Sequence, residues 1–118
     1  MANAVAFTAS LTPTASALAT VNATAGSVTP WLPSLGAKEF TIHLHVNTGT
    51  ATVILEGVNY TQNGGAVAIT PAVILTATGG ATGDFYAVTT TAVPYQYLRL
   101  RCSAFSAGSS IATAVGVR

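Results

Sequence analysis

Phe40-Thr41-Ile42-His43-Leu44-His45-Val46 alternates apolar and polar residues without a break. A period of two marks a strand with one face buried and the other open. Phe40, Ile42, Leu44 and Val46 belong to the core face, and Thr41, His43 and His45 to the open one. Asn47-Thr48-Gly49-Thr50 follows as a turn, and Ala51-Thr52-Val53-Ile54-Leu55-Glu56-Gly57 as a second strand. Residues 38–57 therefore predict a β-hairpin.

The same grammar extends towards the C-terminus. Asn63-Gly64-Gly65 is the strongest turn signal, because Asn and Gly tolerate positive φ. Strands are expected over 66–70 and 72–76, on either side of Pro71, which marks an edge or a break. Gly79 to Asp84 reads as a flexible loop and Phe85 to Thr91 as another strand. Tyr95 to Phe105 alternates again, with Gln96, Leu98, Leu100, Cys102 and Ala104 on one face. After the turn Ser106-Ala107-Gly108-Ser109, the set Ile111, Thr113, Val115 and Val117 marks the final strand. Helix signals are nearly absent. Short strands with turn signals roughly every 8–12 residues predict an all-β antiparallel β-sandwich, jelly-roll-like in character, over residues 37–118.

Residues 1–36 differ. They are rich in Ala, Thr and Ser, carry Pro13, Pro30 and Pro33, and hold no charge. Val5–Leu11 alternates as a strand, and Ala17 to Val21 is a second candidate. The region is either the opening strands of the sandwich or an extended arm on a neighbouring subunit. As an arm, its apolar Phe7 and Leu11 are candidate partner contacts, and removing residues 1–12 leaves the sandwich folded. Trp31, between Pro30 and Pro33, is expected as a plug of the core rather than an insert into a partner.

Composition narrows the function. Only 6% of residues are charged and 50% are hydrophobic, whereas soluble domains carry about 25% charged residues. A free monomer uses charge to stay dissolved and apart from its neighbours. So little of it predicts a chain packed against other protein. A formal charge of +1 offers no field for nucleic acid or an anionic membrane. No stretch approaches the roughly 18 apolar residues of a membrane helix. Met1 to Phe7 has no basic residue and no secretory pattern. One cysteine, Cys102, excludes an internal disulfide. Together these predict synthesis in a cytoplasm.

Few residues suit chemistry. His43 and His45, two apart on a strand, share a face and offer two metal ligands. A zinc site needs a third and usually a fourth, and Glu39, Glu56, Asp84 and Cys102 are scattered in sequence. Two histidines on a polar strand face is the preferred reading. No nucleophile elbow or phosphate loop is present, and Cys102 reads as a small core residue. No enzyme and no cofactor is expected. Tyr95, Tyr97, Arg99 and Arg101 share one strand face. Tyr and Arg are enriched where protein surfaces meet, so the four form a candidate partner-contact patch. Pairing of Arg99 or Arg101 with Glu56 across strands is an equally weighted alternative.

The runs Thr50-Ala51-Thr52-Val53-Ile54-Leu55-Glu56-Gly57 and Pro94-Tyr95-Gln96-Tyr97-Leu98-Arg99-Leu100-Arg101-Cys102-Ser103-Ala104-Phe105-Ser106-Ala107-Gly108 resemble strands of small β-sandwich virion proteins of tailed bacteriophages. The resemblance covers roughly residues 38–118. It implies a structural virion protein, foremost a capsid decoration (cement) protein on the capsid surface, made in the host bacterial cytoplasm. Its implied partners are the major capsid protein and copies of itself, as a dimer or trimer. A tail, neck or fibre component is the alternative within the same particle. A carbohydrate-binding module is the alternative of another class, with Trp31, Tyr60, Tyr86, Tyr95 and Tyr97 as stacking faces.

Overall fold

The alternation of Phe40–Val46 becomes an inner strand of one of two packed sheets. The computed structural model describes residues 4–20, 26–59, 70–89 and 95–118. Among these the strands are β1 (Val5–Leu11), β2 (Leu32–Pro33), β3 (Glu39–Thr48), β4 (Thr50–Val58), β5 (Ala72–Gly80), β6 (Gly83–Thr89), β7 (Tyr97–Phe105) and β8 (Ser109–Val117). The first sheet has the order β1-β8-β3-β6 and the second β2-β7-β4-β5. All pairs are antiparallel.

This order has a simple origin. Folding the chain back on itself pairs β1 with β8, β2 with β7, β3 with β6 and β4 with β5. Rolling that long ribbon then pairs β8 with β3 and β7 with β4. The product is an eight-stranded jelly roll. The turn predicted at 63–65, the strand predicted over 66–70 except for Thr70, Val21, and residues 90–91 lie outside the described residues. Thr70 precedes β5 and is not in a strand.

β3 and β4 do not form the expected hairpin. They lie in different sheets and face each other across the core. The cause is the length of the connection. Only Gly49 separates the two strands, whereas the common tight hairpin uses two residues in a primed turn. A single residue bends the chain over the rim into the opposite sheet. Gly49 does so at φ +77°, and a Cβ there would sit on the Ala107 carbonyl oxygen.

Two further rim crossings stack on this one, Ala81–Thr82 between β5 and β6, and 106–108 between β7 and β8. The Ala81 amide donates to the Gly49 carbonyl (2.9 Å), and the Ser106 amide to the Thr50 carbonyl (3.0 Å). The Thr50 amide returns a bond to Ser106 Oγ (2.9 Å). The loop expected over 79–84 thus shrinks to two residues. Gly79 is buried in β5 because the Phe85 ring occupies the place of its Cβ.

The core lies between the sheets. Phe40, Ile42, Leu44 and Val46 of β3 meet Val53 and Leu55 of β4 and Leu98, Leu100 and Cys102 of β7, all essentially inaccessible. Phe7, Ala9 and Leu11 of β1 close one side, with Phe7 edge-on to Phe40 at 6.3 Å between ring centroids. A bulge in β7 shifts its register against Thr52 and Val53. Past it the alternation inverts, so Ala104 is exposed and Phe105 packs on the core. Gln96, placed on the core face by the sequence pattern, is exposed too. β8 turns its small residues Ala112, Ala114 and Gly116 inward. Ile111, Thr113, Val115 and Val117 point out.

Candidate functional site

The two outer faces of the sandwich differ in kind. That of the second sheet is covered by the chain itself around β7, while Val73, Thr76 and Thr78 of β5 stay exposed. Segments 14–20 and 26–31 line its β7 edge, with the Ala17 amide donating to the Cys102 carbonyl (2.9 Å), the Thr29 amide to the Leu100 carbonyl (3.0 Å) and the Cys102 amide to the Ser27 carbonyl (2.9 Å). Ser27 Oγ accepts from the amides of Thr14 (2.7 Å) and Ala15 (3.2 Å), tying the two limbs together.

Beneath this strap lies an ion triad. Arg99 Nε donates to Glu56 Oε1 at 2.6 Å, and Arg101 Nε to Glu56 Oε2 at 3.0 Å. All three residues are buried. Two guanidiniums against one carboxylate leave an excess positive charge. The strap answers it with carbonyls: Arg99 Nη2 donates to Thr20 O (2.5 Å) and Arg101 Nη1 to Ala17 O (3.1 Å). Trp31 lies over the Arg99 guanidinium, 4.2 Å from its centroid, as a cation–π partner. Trp31 is therefore no plug of the core.

These positions revise the predicted contact patch. Arg99 and Arg101 face their own strap and not a partner, because Glu56 sits opposite Arg99 in the ladder and both arginines converge on its carboxylate. Phe7 and Leu11 are core residues of β1. Tyr95 packs against the core with its ring over Gly57, and Tyr97 is half-buried beside Pro33. The structure does not gather the six into one open surface.

The outer face of the first sheet is open. β3 presents Thr41, His43 and His45, β6 presents Asp84, Tyr86 and Val88, and β8 presents Ile111, Thr113, Val115 and Val117. Tyr86 and Val88 are each 68% exposed and Ile111 is 45% exposed. A shallow groove runs here between Glu39, Thr41, Val88, Thr89, Val115 and Val117.

Beside the groove the two histidines meet a carboxylate. His43 Nε2 lies 2.7 Å from Asp84 Oδ1, and His45 Nδ1 lies 2.8 Å from the same oxygen. Tyr86 stacks on His43 at 4.5 Å with an interplanar angle of 19°. Antiparallel register produces the cluster, since His45 is paired with Asp84 and His43 with Tyr86. Sequence reading left Asp84 in a loop and so missed it; β6 beginning at Gly83 is the signal that finds it. Among the described residues no group of three or more His, Cys, Asp or Glu side chains is placed to hold a metal ion.

His45 Nε2 also bonds Asn47 Oδ1 at 3.0 Å. Both of its partners are acceptors, so only the imidazolium makes both bonds at once. Asp84, and then Asn47, hold the His45 pKa above its ordinary 6.5. Bonds from His43 and His45 hold Asp84 below its ordinary 3.8.

The signs follow by linkage. The raised His45 contributes stability that is full below 6.5 and lost as pH rises through its folded value. The lowered Asp84 contributes stability present above 3.8 and lost as pH falls through its folded value. The cluster is thus most favourable between the two ordinary values. Asp84→Asn removes the largest cause, so the His45 pKa falls towards 6.5 in an NMR titration of the imidazole C–H signals. An unchanged His45 titration would refute the assignment.

No family model matches the chain, and no curated protein or solved structure matches it either.

Proposed function

We propose that this chain is a structural virion subunit of a tailed phage, a capsid decoration (cement) protein that binds and reinforces the assembled shell. The observation that carries the reading is the charge left on the surface. Of seven charged residues, Glu56, Arg99 and Arg101 are buried, leaving Lys38, Glu39, Asp84 and Arg118 exposed. Four side-chain charges are far fewer than the quarter to third of surface positions, roughly, that keeps a free domain apart from its neighbours. Such a surface suits permanent contact with other protein, here the major capsid protein and further copies of the chain.

The jelly roll is an architecture that viral shells use, as do lectins and cupins, and architecture alone does not decide function. Attachment to a shell of many equivalent sites draws its strength from multivalency, which raises effective concentration without new contacts.

Quantitative mass spectrometry of purified particles tests the proposal. Hundreds of copies per particle are expected. A few copies, as at a vertex or along a tail, would transfer the chain to a tail, neck or fibre role. Complete absence from particles would overturn both.

One observation favours a carbohydrate-binding module as a second reading. Tyr86 offers an exposed ring beside Asp84 and His43, and a saccharide uses such a pairing of stacking face and hydrogen-bonding groups. A glycan array that loses its signal with Tyr86→Ala would support it, and a blank array would remove it.

A further inference from the structure

We propose that the outer face of the first sheet is a two-fold interface between two copies of this chain, packed face to face about the row Thr8–Val115–Thr41–Val88.

Among the described residues, segments 14–20 and 26–31 cover the β7 side of the second sheet's outer face, and the outer face of the first sheet stays exposed. On the open face two valines and two threonines share one row without a charge. Val115 is in register with Thr8 on one side and Thr41 on the other, and Thr41 with Val88. The row crosses all four strands and passes through the groove.

Charge distribution selects the second copy as the occupant, and it selects the axis. Along β3 the outward positions are Glu39, Thr41, His43 and His45, so an acid stands at one end of the face and imidazoles near the other. Lys38 and Arg118 lie at the Glu39 end, and Asp84 lies at the His45 end. The face therefore complements itself when one copy is turned end for end.

A two-fold axis in the plane of the interface and along the Thr41 row performs that turn. It sets Glu39 over His43 of the second copy and carries Asp84 towards the end with Lys38 and Arg118. Val88, Thr41 and Val115 each meet their own counterparts on the axis. An axis parallel to the strands would instead put Glu39 on Glu39 and Asp84 near Asp84, which like charges disfavour. Closed, isologous contact of this kind is the commonest form of self-association, and aligned sheets pack face to face at about 30°.

Size sets the expected strength. Four strands about 4.8 Å apart and about eight residues long give a footprint of roughly 500 Å². Two such faces total roughly 1,000 Å², the lower limit for a specific interface. The dimer is accordingly reversible and stays within reach of sedimentation measurements.

Sedimentation equilibrium of the full chain is the test, and it needs no particle. Failure here leaves the particle assignment standing, and absence from particles leaves the dimer standing. The wild-type chain is expected to sediment as a concentration-dependent dimer. Val88→Asp places a charge in that row and raises the dissociation constant on the order of a hundredfold. Measured below the wild-type dissociation constant, its melting temperature stays close to that of wild type, because Val88 is exposed and points away from the core. Thr41→Cys, on the axis, is captured as a dimer by a short bismaleimide, while Ile111→Cys, far from the axis, is not. A wild-type monomer at all concentrations, a trimer, or a dimer indifferent to Val88→Asp would overturn the proposal.

Discussion

Glu56→Ala destabilises the sandwich by about 3–5 kcal/mol, the cost of leaving buried charge without its counter-ion. Arg99 and Arg101 both direct Nε at the lost carboxylate, and both are buried. Without Glu56, two guanidiniums face each other under the strap with no described carboxylate between them. A domain of this size has about 5–15 kcal/mol in total, so a large share of the folding free energy goes. The damage also has a location. Amides that bind the strap to β7, those of Ala17 and Thr29, lose hydrogen-exchange protection first. Replacing all three ions with apolar residues of similar volume recovers much of the loss, because the desolvation cost disappears with the charges. Denaturant titration of the single and triple variants checks both statements. A Glu56→Ala loss below about 1 kcal/mol, the range of a solvated surface pair, would contradict them.

Removal of residues 1–12 abolishes the cooperative fold. Phe7, Ala9 and Leu11 are core residues, and losing a buried Phe or Leu side chain alone costs about 3–5 and 2–5 kcal/mol respectively. The deletion takes both, together with the whole β1 ladder on β8. It also turns β8 into an unprotected edge strand, a template for aggregation. Circular dichroism and thermal melting of the truncated chain are expected to show no sharp transition. A truncated chain that melts like the full one would make β1 a detachable arm.

The contrast between these outcomes and the sequence reading has physical causes. Strands β3 and β7 were legible because apolar and polar residues alternate along them, as in Phe40–Val46 and Leu98–Cys102, although β7 is buried on both faces. Connections were not. Asn47-Thr48-Gly49-Thr50 serves a hairpin or a rim crossing equally well as composition, and only the count of residues between the strands separates the two. β8 misleads for another reason. Its large residues Ile111, Val115 and Val117 face outward and its small ones face the core, where the Phe40 ring and Ala37 already fill the space beside Gly116. Periodicity finds such a strand but does not say which face is in.

The sites divide in the same way. The Glu56–Arg99–Arg101 triad was half visible, because two like charges two residues apart need a counter-charge and the chain holds only three carboxylates. What covers the triad was invisible, because Ala17 and Thr20 accept from the arginines through main-chain carbonyls that any sequence possesses. Asp84 joined His43 and His45 only through the register of β6 on β3, a long-range pairing that local pattern does not encode.

The proposed role is permanent contact with other protein on a particle surface. Cryo-electron microscopy of particles from a host producing this chain tests it most directly. The predicted result is ordered jelly-roll density at many equivalent positions on the shell, with the sparsely charged surface in contact with shell subunits or further copies. Particles whose shells carry no such density would contradict the account.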